Sequence, residues 1–192
     1  SWGGNDPPVV VFTYGDSREG RHAMAILQGF EGTLQVDGYA GYEALTRATR
    51  TGGKPLLLAY CWAHARRKLR EIYDRDASPV AGEGLRRIAE LYAIEAEIRG
   101  KSPEERLAVR QQRSAPLVAA FREWLTQKRK QISPKSRLGE KLGYIHRHWA
   151  GLARYLDDGR LEMDTNPVEN RIRPQALTRK NALFAGHDEG GR

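Results

Sequence analysis

Apolar and polar positions along the first third of the chain alternate between strand-like and helix-like spacing. The continuous apolar and β-branched run over residues 9–14 predicts a strand buried on both faces. Residues 17–30 then carry apolar side chains at helical spacing, with Ser17 as the predicted N-cap. The alternating "GTLQVD" predicts a strand that ends at Asp37, "GYEALTRAT" a short helix, and the apolar run 56–62 another buried strand. This order predicts an α/β fold with at least some parallel strand pairing.

Strand patterns nearly vanish after His64, and helical spacing of apolar residues dominates to about residue 158. Three apolar stripes predict about four helices that pack against one another and against the sheet. The stripes are Leu85, Ile88, Leu91, Tyr92 and Ile98; Leu117, Phe121, Trp124 and Leu125; and Leu138, Leu142, Ile145, Trp149, Leu152 and Leu156. The last stripe is the most regular and predicts a helix that packs one face against its partners. Pro79, Pro103 and Pro134, each preceded by Ser, mark predicted helix starts or breaks.

The last segment begins with a short extended piece and continues as a basic helix. The sequence "TNP" predicts a helix start, with Asn166 as N-cap and Pro167 at the first helical position. Pro174 is predicted to end or bend this helix. The stretch 171–180 contains no acid and four cations, namely Arg171, Arg173, Arg179 and Lys180.

The amino-acid composition indicates the class of binding partner and the cellular compartment. The chain of 192 residues is 40% hydrophobic, which is enough to bury a core. Its net charge of +8 and pI near 9.8 favour a polyanion such as nucleic acid, although a basic domain that binds nothing has the same charge. The single cysteine, Cys61, has no partner for an internal disulfide and indicates the cytoplasm. A lone cysteine also builds no structural zinc site without several His partners nearby.

No membrane association is expected, because no apolar run approaches the roughly 20 residues needed to span a bilayer. The opening "SWGGNDPP" has neither an initiator Met nor the pattern of a signal peptide, and the chain ends abruptly at "HDEGGR". On the sequence alone, both ends are expected to be cuts in a longer protein.

Two acids are candidates for chemistry: Asp37 at the end of a strand and Glu169 in the first turn of a helix. Each has a structural alternative. The sequence "VDGY" matches a two-residue Asp-Gly hairpin turn, and Glu169 lies three residues after Asn166, where it would close a capping box. The functional alternative is a shared metal site. Carboxylates on rigid elements hold divalent cations that stabilise the charges developing on oxygen when a phosphodiester is cleaved.

Four segments together resemble the insertion-sequence-66 family of bacterial transposases: "LQVDGYAGYEAL", "CWAHARRKLREIYD", "DDGRLEMDTNPVENRIRP" and "RKNALFAG". They occur in the family's order and cover nearly the whole chain. The resemblance implies a DDE enzyme with a ribonuclease H-like catalytic fold, in which Asp37 is the second acid and Glu169 the third. Thr165 and Asn170 stand where the family usually has Asn and Arg, which concerns only the hydrogen bonding around Glu169.

The first acid of such a set belongs on the first strand of the fold. Asp6 and Asp16 lie in loops, and Asp16 has the position of a helix cap. We therefore expect the first acid upstream of Ser1 and expect this chain to be catalytically incomplete.

The resemblance also implies an organisation and an activity. Residues 1–64 and 159–192 would form the two parts of a ribonuclease H-like mixed sheet that lacks its first strand, and residues 65–158 a large all-helical insertion. The implied activity is DNA transposition of the cut-and-paste type, in which water attacks the phosphodiester at the element's end and the freed 3′-hydroxyl attacks target DNA; a copying pathway stays open. The implied cofactors are two Mg²⁺ or Mn²⁺ ions, and the implied partners are DNA and further copies of the protein in a homo-oligomer.

Cations near the two acids are candidate DNA ligands, with a solvated basic face as the alternative. The predicted ligands are Arg66, Arg67, Arg70, Arg171, Arg173, Arg179 and Lys180. Cys61 and His64, in "CWAH", match a Cys-two-residues-His signature found in several DDE transposase groups. In that interpretation His64 would touch phosphate or orient a ligand, whereas the alternative is a buried strand Cys followed by a His at a turn.

Two other functions stay open at this stage. A non-catalytic DNA-binding fragment of a decayed transposase would bind DNA with steep salt dependence but would bind no Mg²⁺ at Asp37 and Glu169. A hydrolase-like or other small-molecule enzyme is disfavoured, because the chain has no Gly-x-Ser-x-Gly motif, no P-loop and no dinucleotide fingerprint.

Overall fold

The computed structural model describes residues 9, 11, 13, 17 and 19–181. The strand predicted over residues 9–14 lies partly, and the loop acids Asp6 and Asp16 wholly, outside the described residues. Within residues 19–181 the protein is mostly helical and has one small parallel sheet of two strands, which agrees with the predicted α/β class. None of the helices described has the length and apolar character needed to cross a bilayer.

The sheet consists of β1 (Thr33–Val36) and β2 (Leu57–Tyr60), both of which were predicted from the sequence. The two strands pair in parallel, first residue opposite first and last opposite last. Their connection carries a 3-10 helix, Ala40–Thr46, where the pattern predicts a short helix. Leu45 is fully buried in this connection, and its carbonyl accepts a hydrogen bond from the amide of Leu56 (2.9 Å). The connection is thereby fastened to the start of β2.

The helix before the sheet, α1 (Gly20–Ile26), is shorter than the helix predicted over residues 17–30. Ser17 is not its N-cap, because the helix starts after Glu19 and the Ser17 hydroxyl instead lies 3.0 Å from Nε2 of His22. Apolar spacing therefore identifies this helix, but the local contacts of Ser17 set a later start.

The predicted helical region after His64 is confirmed, but within the described residues it contains six α-helices where about four were predicted. They are α2 (Trp62–Asp76), α3 (Pro79–Glu97), α4 (Pro103–Val109), α5 (Ala115–Gln131), α6 (Arg137–Arg147) and α7 (Trp149–Ala153). A π-helical turn (Arg110–Ser114) joins α4 to α5, and a 3-10 turn (Arg154–Leu156) follows α7. The last helix described is α8 (Asn166–Asn181).

Serine caps set the starts of three of these helices. The Ser78 hydroxyl accepts an amide hydrogen bond at the start of α3, and Ser102 forms a capping box with Glu105 at the start of α4. At the third Ser-Pro pair, Pro134 lies in the break between α5 and α6, and Ser136 caps α6. The Ser-Pro signals thus mark two starts and one break.

The hydrophobic core lies among the helices, with Trp62 at its centre. Trp62 is fully buried and donates its indole N–H to the carbonyl of Leu152 (2.8 Å). Its ring meets those of Phe121 and Trp149 edge to face, with centroids 5.6 and 6.1 Å apart. All three predicted stripes contribute to this core, but the last one is not a single helix, since the chain changes direction at His148 between α6 and α7.

Two buried arginines fasten the segment that leads to α8. Arg110 is fully buried, makes two hydrogen bonds to Glu95 (2.8 and 2.7 Å), and donates to three carbonyl oxygens in the stretch 155–161. Arg106 donates to Oε1 of Glu162 (2.9 Å). The helical part of the protein therefore fixes the path of the chain just before the last candidate acid.

Candidate functional site

Asp37 follows β1 directly and forms a local turn. Its Oδ1 accepts a hydrogen bond from the amide of Tyr39 (3.0 Å), and Gly38 between them has a φ of +91°, which glycine adopts without strain. The turn is not a hairpin, because β1 pairs in parallel with the next strand, so the hairpin alternative is wrong. Asp37 is exposed and lines an open groove of about 630 Å³ between α1, β1 and the 3-10 helix.

Glu169 lies in the first turn of α8, and its Oε1 accepts a hydrogen bond from the hydroxyl of Thr165 (2.7 Å). Asn166 is the first residue of this helix, and both its amide and its side chain donate to the carboxylate of Asp164. The prediction that Asn166 is the N-cap, with a capping box to Glu169, is therefore wrong. Thr165 precedes the helix and holds the Glu169 carboxylate instead.

Cys61 and His64 meet Glu169 at this point. The Cys61 thiol, the His64 ring and the Glu169 carboxylate each offer one atom, and these three atoms all lie within 4.8 Å of one another. Cys61 is 2% exposed and precedes α2, whereas His64 lies in the first turn of that helix. The His64 Nδ1 atom is buried, has no hydrogen-bond partner, and lies 3.9 Å from Oε1 of Glu169.

Thr165 also contacts the thiol of this cluster. Its amide donates to Sγ of Cys61 (3.3 Å), while its hydroxyl binds Glu169. One residue therefore fixes the separation between a ligand atom at the start of α2 and one at the start of α8. The sequence linked Thr165 to the hydrogen bonding around Glu169, but it contained no signal for the contact with Cys61.

The end of β1 is fastened to the segment that precedes α8. The Gln35 side-chain amide donates to the carbonyl oxygens of Glu162 (2.6 Å) and Asp164 (3.1 Å). On the other side of the same segment, the amide of Trp62 donates to the carbonyl of Met163 (3.1 Å). Residues 162–164 therefore lie between β1, which Asp37 follows, and the start of α2, which Cys61 precedes.

Tyr144 of α6 lies against the turn that contains Asp37. A Cβ atom on Gly38 would lie 2.5 Å from the Tyr144 hydroxyl, which places this hydroxyl against the turn of Asp37. Burial, together with the negative charge of Asp37, raises the pKa of Tyr144. Asp37 is nevertheless not a member of the three-residue group within 4.8 Å, which among the described residues contains only Cys61, His64 and Glu169.

The predicted basic residues of α2 fall into two groups. Arg66 and Arg67 are exposed and form no ion pair with the described residues, whereas Arg70 donates to Asp74 (2.6 Å). Arg66 is close enough to Tyr92 to oppose the rise in its pKa, and Arg67 acts in the same way on Tyr144. Of the three, Arg66 and Arg67 border the candidate site with their charges available.

The basic residues predicted after Glu169 all belong to α8. Arg171 and Arg173 are exposed, and the side chains of Arg179 and Lys180 lie outside the described part of the chain. The helix does not end at Pro174 but runs through it to Asn181. These cations therefore belong to the helix that opens with Glu169.

The chain is similar to known proteins over its whole length. Residues 2–192 match the family model described as Transposase IS66 family. The chain is 44% identical over 191 residues to the Uncharacterized protein y4jD of Sinorhizobium fredii, an alignment that covers 99% of this chain and 37% of that protein. It is 40% identical over 193 residues to the Uncharacterized protein y4qI of the same organism, covering 100% and 36% of the two chains. No solved structure matches the chain significantly.

This chain spans little more than a third of the length of these curated relatives. The resemblance indicated by the four segments is confirmed, because the family model matches nearly every residue of the chain. The identity to the relatives is high enough to establish common ancestry. This chain belongs to the Transposase IS66 family.

Proposed function

We propose that this chain is part of the catalytic region of a DDE-type DNA transposase with a ribonuclease H-like core. In this proposal Asp37 and Glu169 are two of the acids that hold divalent cations during phosphodiester cleavage and strand transfer. The proposal rests on membership of the transposase family and on one structural observation, the pair of hydrogen bonds from Gln35 to the carbonyls of Glu162 and Asp164. Those bonds draw the strand ending at Asp37 to the segment that opens the helix of Glu169.

The two acids fit Mg²⁺ or Mn²⁺ in their chemistry. Both offer carboxylate oxygens, Asp37 is exposed, and the Glu169 side chain is 47% exposed, so hydrated ions and a DNA phosphate have access to them. Divalent ions bound there would stabilise the charges on the attacking and leaving oxygens of the phosphodiester. Thr165 and the Asp37 turn hold one oxygen of each carboxylate in place, which reduces the rearrangement that binding requires.

The cations around the acids fit a nucleic-acid backbone. Arg66 and Arg67 project from α2 beside the site, and Arg171 and Arg173 are exposed on α8 after Glu169. A net charge of +8 favours binding to a polyanion. These side chains would position the scissile phosphate, and further copies of the protein would bring two DNA ends together.

Binding of Mn²⁺ to the purified chain tests the acid pair directly. Isothermal titration of the protein with Mn²⁺ is expected to give a signal that Asp37→Asn and Glu169→Gln each weaken by at least about tenfold, because each removes an anionic ligand. Glu71→Gln provides a control, since this acid is paired with Lys141 on the surface. Equal Mn²⁺ affinity in the wild-type protein and both site variants would contradict the proposal.

Strand cleavage provides the second test, performed on the complete reading frame that contains these residues. Mg²⁺-dependent nicking of DNA that carries the element's end is expected to be lost in Asp37→Ala and Glu169→Ala. Cleavage that survives both substitutions would exclude the assignment of the acids.

A non-catalytic DNA-binding fragment is the second candidate, favoured by the exposed cations Arg66 and Arg67, which form no ion pair with the described residues and lie beside a site with few described acids. It predicts unchanged DNA affinity in Asp37→Asn and no Mn²⁺ binding to the wild-type chain. The titration described above distinguishes the two functions.

A further inference from the structure

The Cys61, His64 and Glu169 cluster contains an atom that the proposed magnesium chemistry does not use. The Nδ1 atom of His64 is buried and without a hydrogen-bond partner, and it faces the carboxylate of Glu169 at 3.9 Å. Buried ring nitrogens normally have a hydrogen-bond partner. A buried ring nitrogen without one, next to two other potential ligand atoms, therefore indicates that an ion or a ligand atom binds there. The distance is too long for a hydrogen bond but suits two ligands that share a bound ion.

The donor set of this cluster selects the class of ion. A thiol sulfur, an imidazole nitrogen and a carboxylate oxygen are ligands of Zn²⁺ and related transition metals, whereas Mg²⁺ takes oxygen ligands almost exclusively. The three ligand atoms lie within 4.8 Å of one another. In a tetrahedral zinc site they would lie about 3.3 to 3.8 Å apart, so a contraction of about 1 Å closes the site around the ion.

The positions of the three ligands on their helices mean that this contraction requires only a small movement of the side chains. Cys61 precedes α2 and His64 lies three residues later on the same helical turn, so the two ligands share a face. Glu169 comes from the first turn of α8, and Thr165 already binds both the thiol and the carboxylate. An amide that donates to a ligand sulfur is the kind of outer contact that orients metal ligands in proteins.

We propose that Cys61, His64 and Glu169 form a binding site for a thiophilic divalent transition metal of the Zn²⁺ class. Three protein ligands leave a fourth position open for water or for an anionic oxygen of a ligand. Bound metal would lock the start of α8 to the junction between β2 and α2. The site differs from a closed structural zinc site, because it has one sulfur ligand and one open position.

This inference shares Glu169 with the proposed function but does not depend on Asp37. A carboxylate has two oxygens, so Glu169 is able to face the thiol cluster with one and the groove side with the other. The two proposals are therefore distinguished by the residues that they do not share: Cys61→Ser should remove the thiolate site and leave Mn²⁺ binding intact, and Asp37→Asn should weaken Mn²⁺ binding and leave the thiolate site intact.

Titration of the reduced protein with Co²⁺ tests the site, because cobalt bound to a thiolate gives a charge-transfer band in the near ultraviolet and visible bands of a tetrahedral ion. We expect these bands in the wild-type protein, their removal by stoichiometric Zn²⁺, and their persistence in a large excess of Mg²⁺. Cys61→Ser is expected to lose the charge-transfer band, and His64→Gln and Glu169→Gln to weaken Co²⁺ binding by at least about 100-fold. Asp37→Asn is the matched control and is expected to keep the bands unchanged.

Thermal unfolding measures metal binding without relying on the absorption bands of Co²⁺. Zn²⁺ at about 100 times its dissociation constant is expected to raise the Tm of the wild-type protein by several degrees and that of His64→Gln by much less. Absence of a thiolate band in the folded wild-type protein would overturn the proposal. It would also be overturned by a Cys61→Ser variant that folds, as judged by circular dichroism, and retains full Co²⁺ affinity. Where Cys61→Ser does not fold, equal Tm shifts in wild type and His64→Gln would overturn it.

Discussion

At the scale of single residues, Thr165 controls more of the candidate site than any residue that was predicted to belong to it. It is 7% exposed, and its two polar groups bind a thiol on one side and a carboxylate on the other. Loss of its hydroxyl would leave Glu169 free to rotate away from His64. The geometry of the site therefore depends on a residue that carries no charge and ligates nothing itself.

Replacing Thr165 by Val removes the hydroxyl at nearly constant shape. Because a hydrogen bond to a charged group contributes about 1.5 to 3 kcal/mol, we expect Thr165→Val to lower Mn²⁺ affinity by about tenfold and to reduce the free energy of unfolding by about 1.5 kcal/mol. Thr165→Ser keeps the hydroxyl and is expected to retain most of both. Isothermal titration and urea unfolding measure the two effects. An unchanged Mn²⁺ affinity in Thr165→Val would contradict this role.

The sequence predicted the candidate residues of the site but not the residues that hold them in place. Asp37, Glu169, Cys61 and His64 were recognisable because they lie in segments that resemble those of the transposase family, although each also had a structural alternative. Gln35 had the pattern of a solvent-facing strand residue, yet its amide crosses to the segment before α8. Such contacts join residues far apart in the chain, and no local pattern encodes them.

At the scale of elements, the packing of α7 on β2 explains why the third apolar stripe does not form one helix. Gly151 in α7 lies so close to the strand that a Cβ atom there would be 2.7 Å from the carbonyl oxygen of Leu58 and 2.3 Å from the Tyr60 ring. A straight continuation of α6 would not produce this contact, and the chain turns at His148 to reach it. Periodicity predicted which residues are buried but not this change of direction, because both helices use the same spacing.

Alanine substitution at two glycines tests this contact. Gly151→Ala is expected to destabilise the protein by about 2 kcal/mol or more, because a backbone oxygen cannot move aside as a flexible side chain does. Gly143→Ala in α6 is the matched control, since its Cβ would meet no described atom closer than 3.9 Å and the helix gains about 0.5 to 1 kcal/mol. Urea unfolding of the two variants should give opposite signs. A neutral Gly151→Ala would show that α7 does not rest on β2 in solution.

At the scale of the whole molecule, the distribution of charge separates structural cations from those available to DNA. Arg106 and Arg110 are buried and paired with Glu95 and Glu162, so these four charges cancel in the net charge and the two arginines are not available to phosphate. Arg66 and Arg67 are exposed beside the cluster without an ion pair to the described residues. The total of 32 Lys and Arg residues therefore overstates the number of cations that phosphates reach.

The salt dependence of DNA binding tests this distinction between paired cations and cations available to DNA. Each phosphate contact that is lost reduces the slope of log K against log salt by about 0.9. We expect Arg66→Ala and Arg67→Ala each to reduce the slope by roughly that amount, and Arg70→Ala, which is paired with Asp74, to reduce it by clearly less. Fluorescence anisotropy with labelled duplex DNA from 50 to about 200 mM salt measures the slope. Equal effects of all three substitutions would contradict the assignment of free and paired cations.

The pH dependence of stability tests how the helical part holds the segment before α8. The Tyr92 hydroxyl donates to Oδ2 of Asp164 (3.0 Å), and burial, with the negative charge of Asp164, raises its pKa far above the ordinary 10.0. Because the unfolded chain loses this proton first, the contribution of Tyr92 is fully present below about pH 10 and is lost as the pH rises further. Above pH 10, the free energy of unfolding of the wild type should therefore fall more steeply than that of Tyr92→Phe, by up to about 1.4 kcal/mol per pH unit. Urea unfolding between about pH 8 and pH 11 compares the two proteins, and parallel curves would mean that Tyr92 is not held in this buried contact.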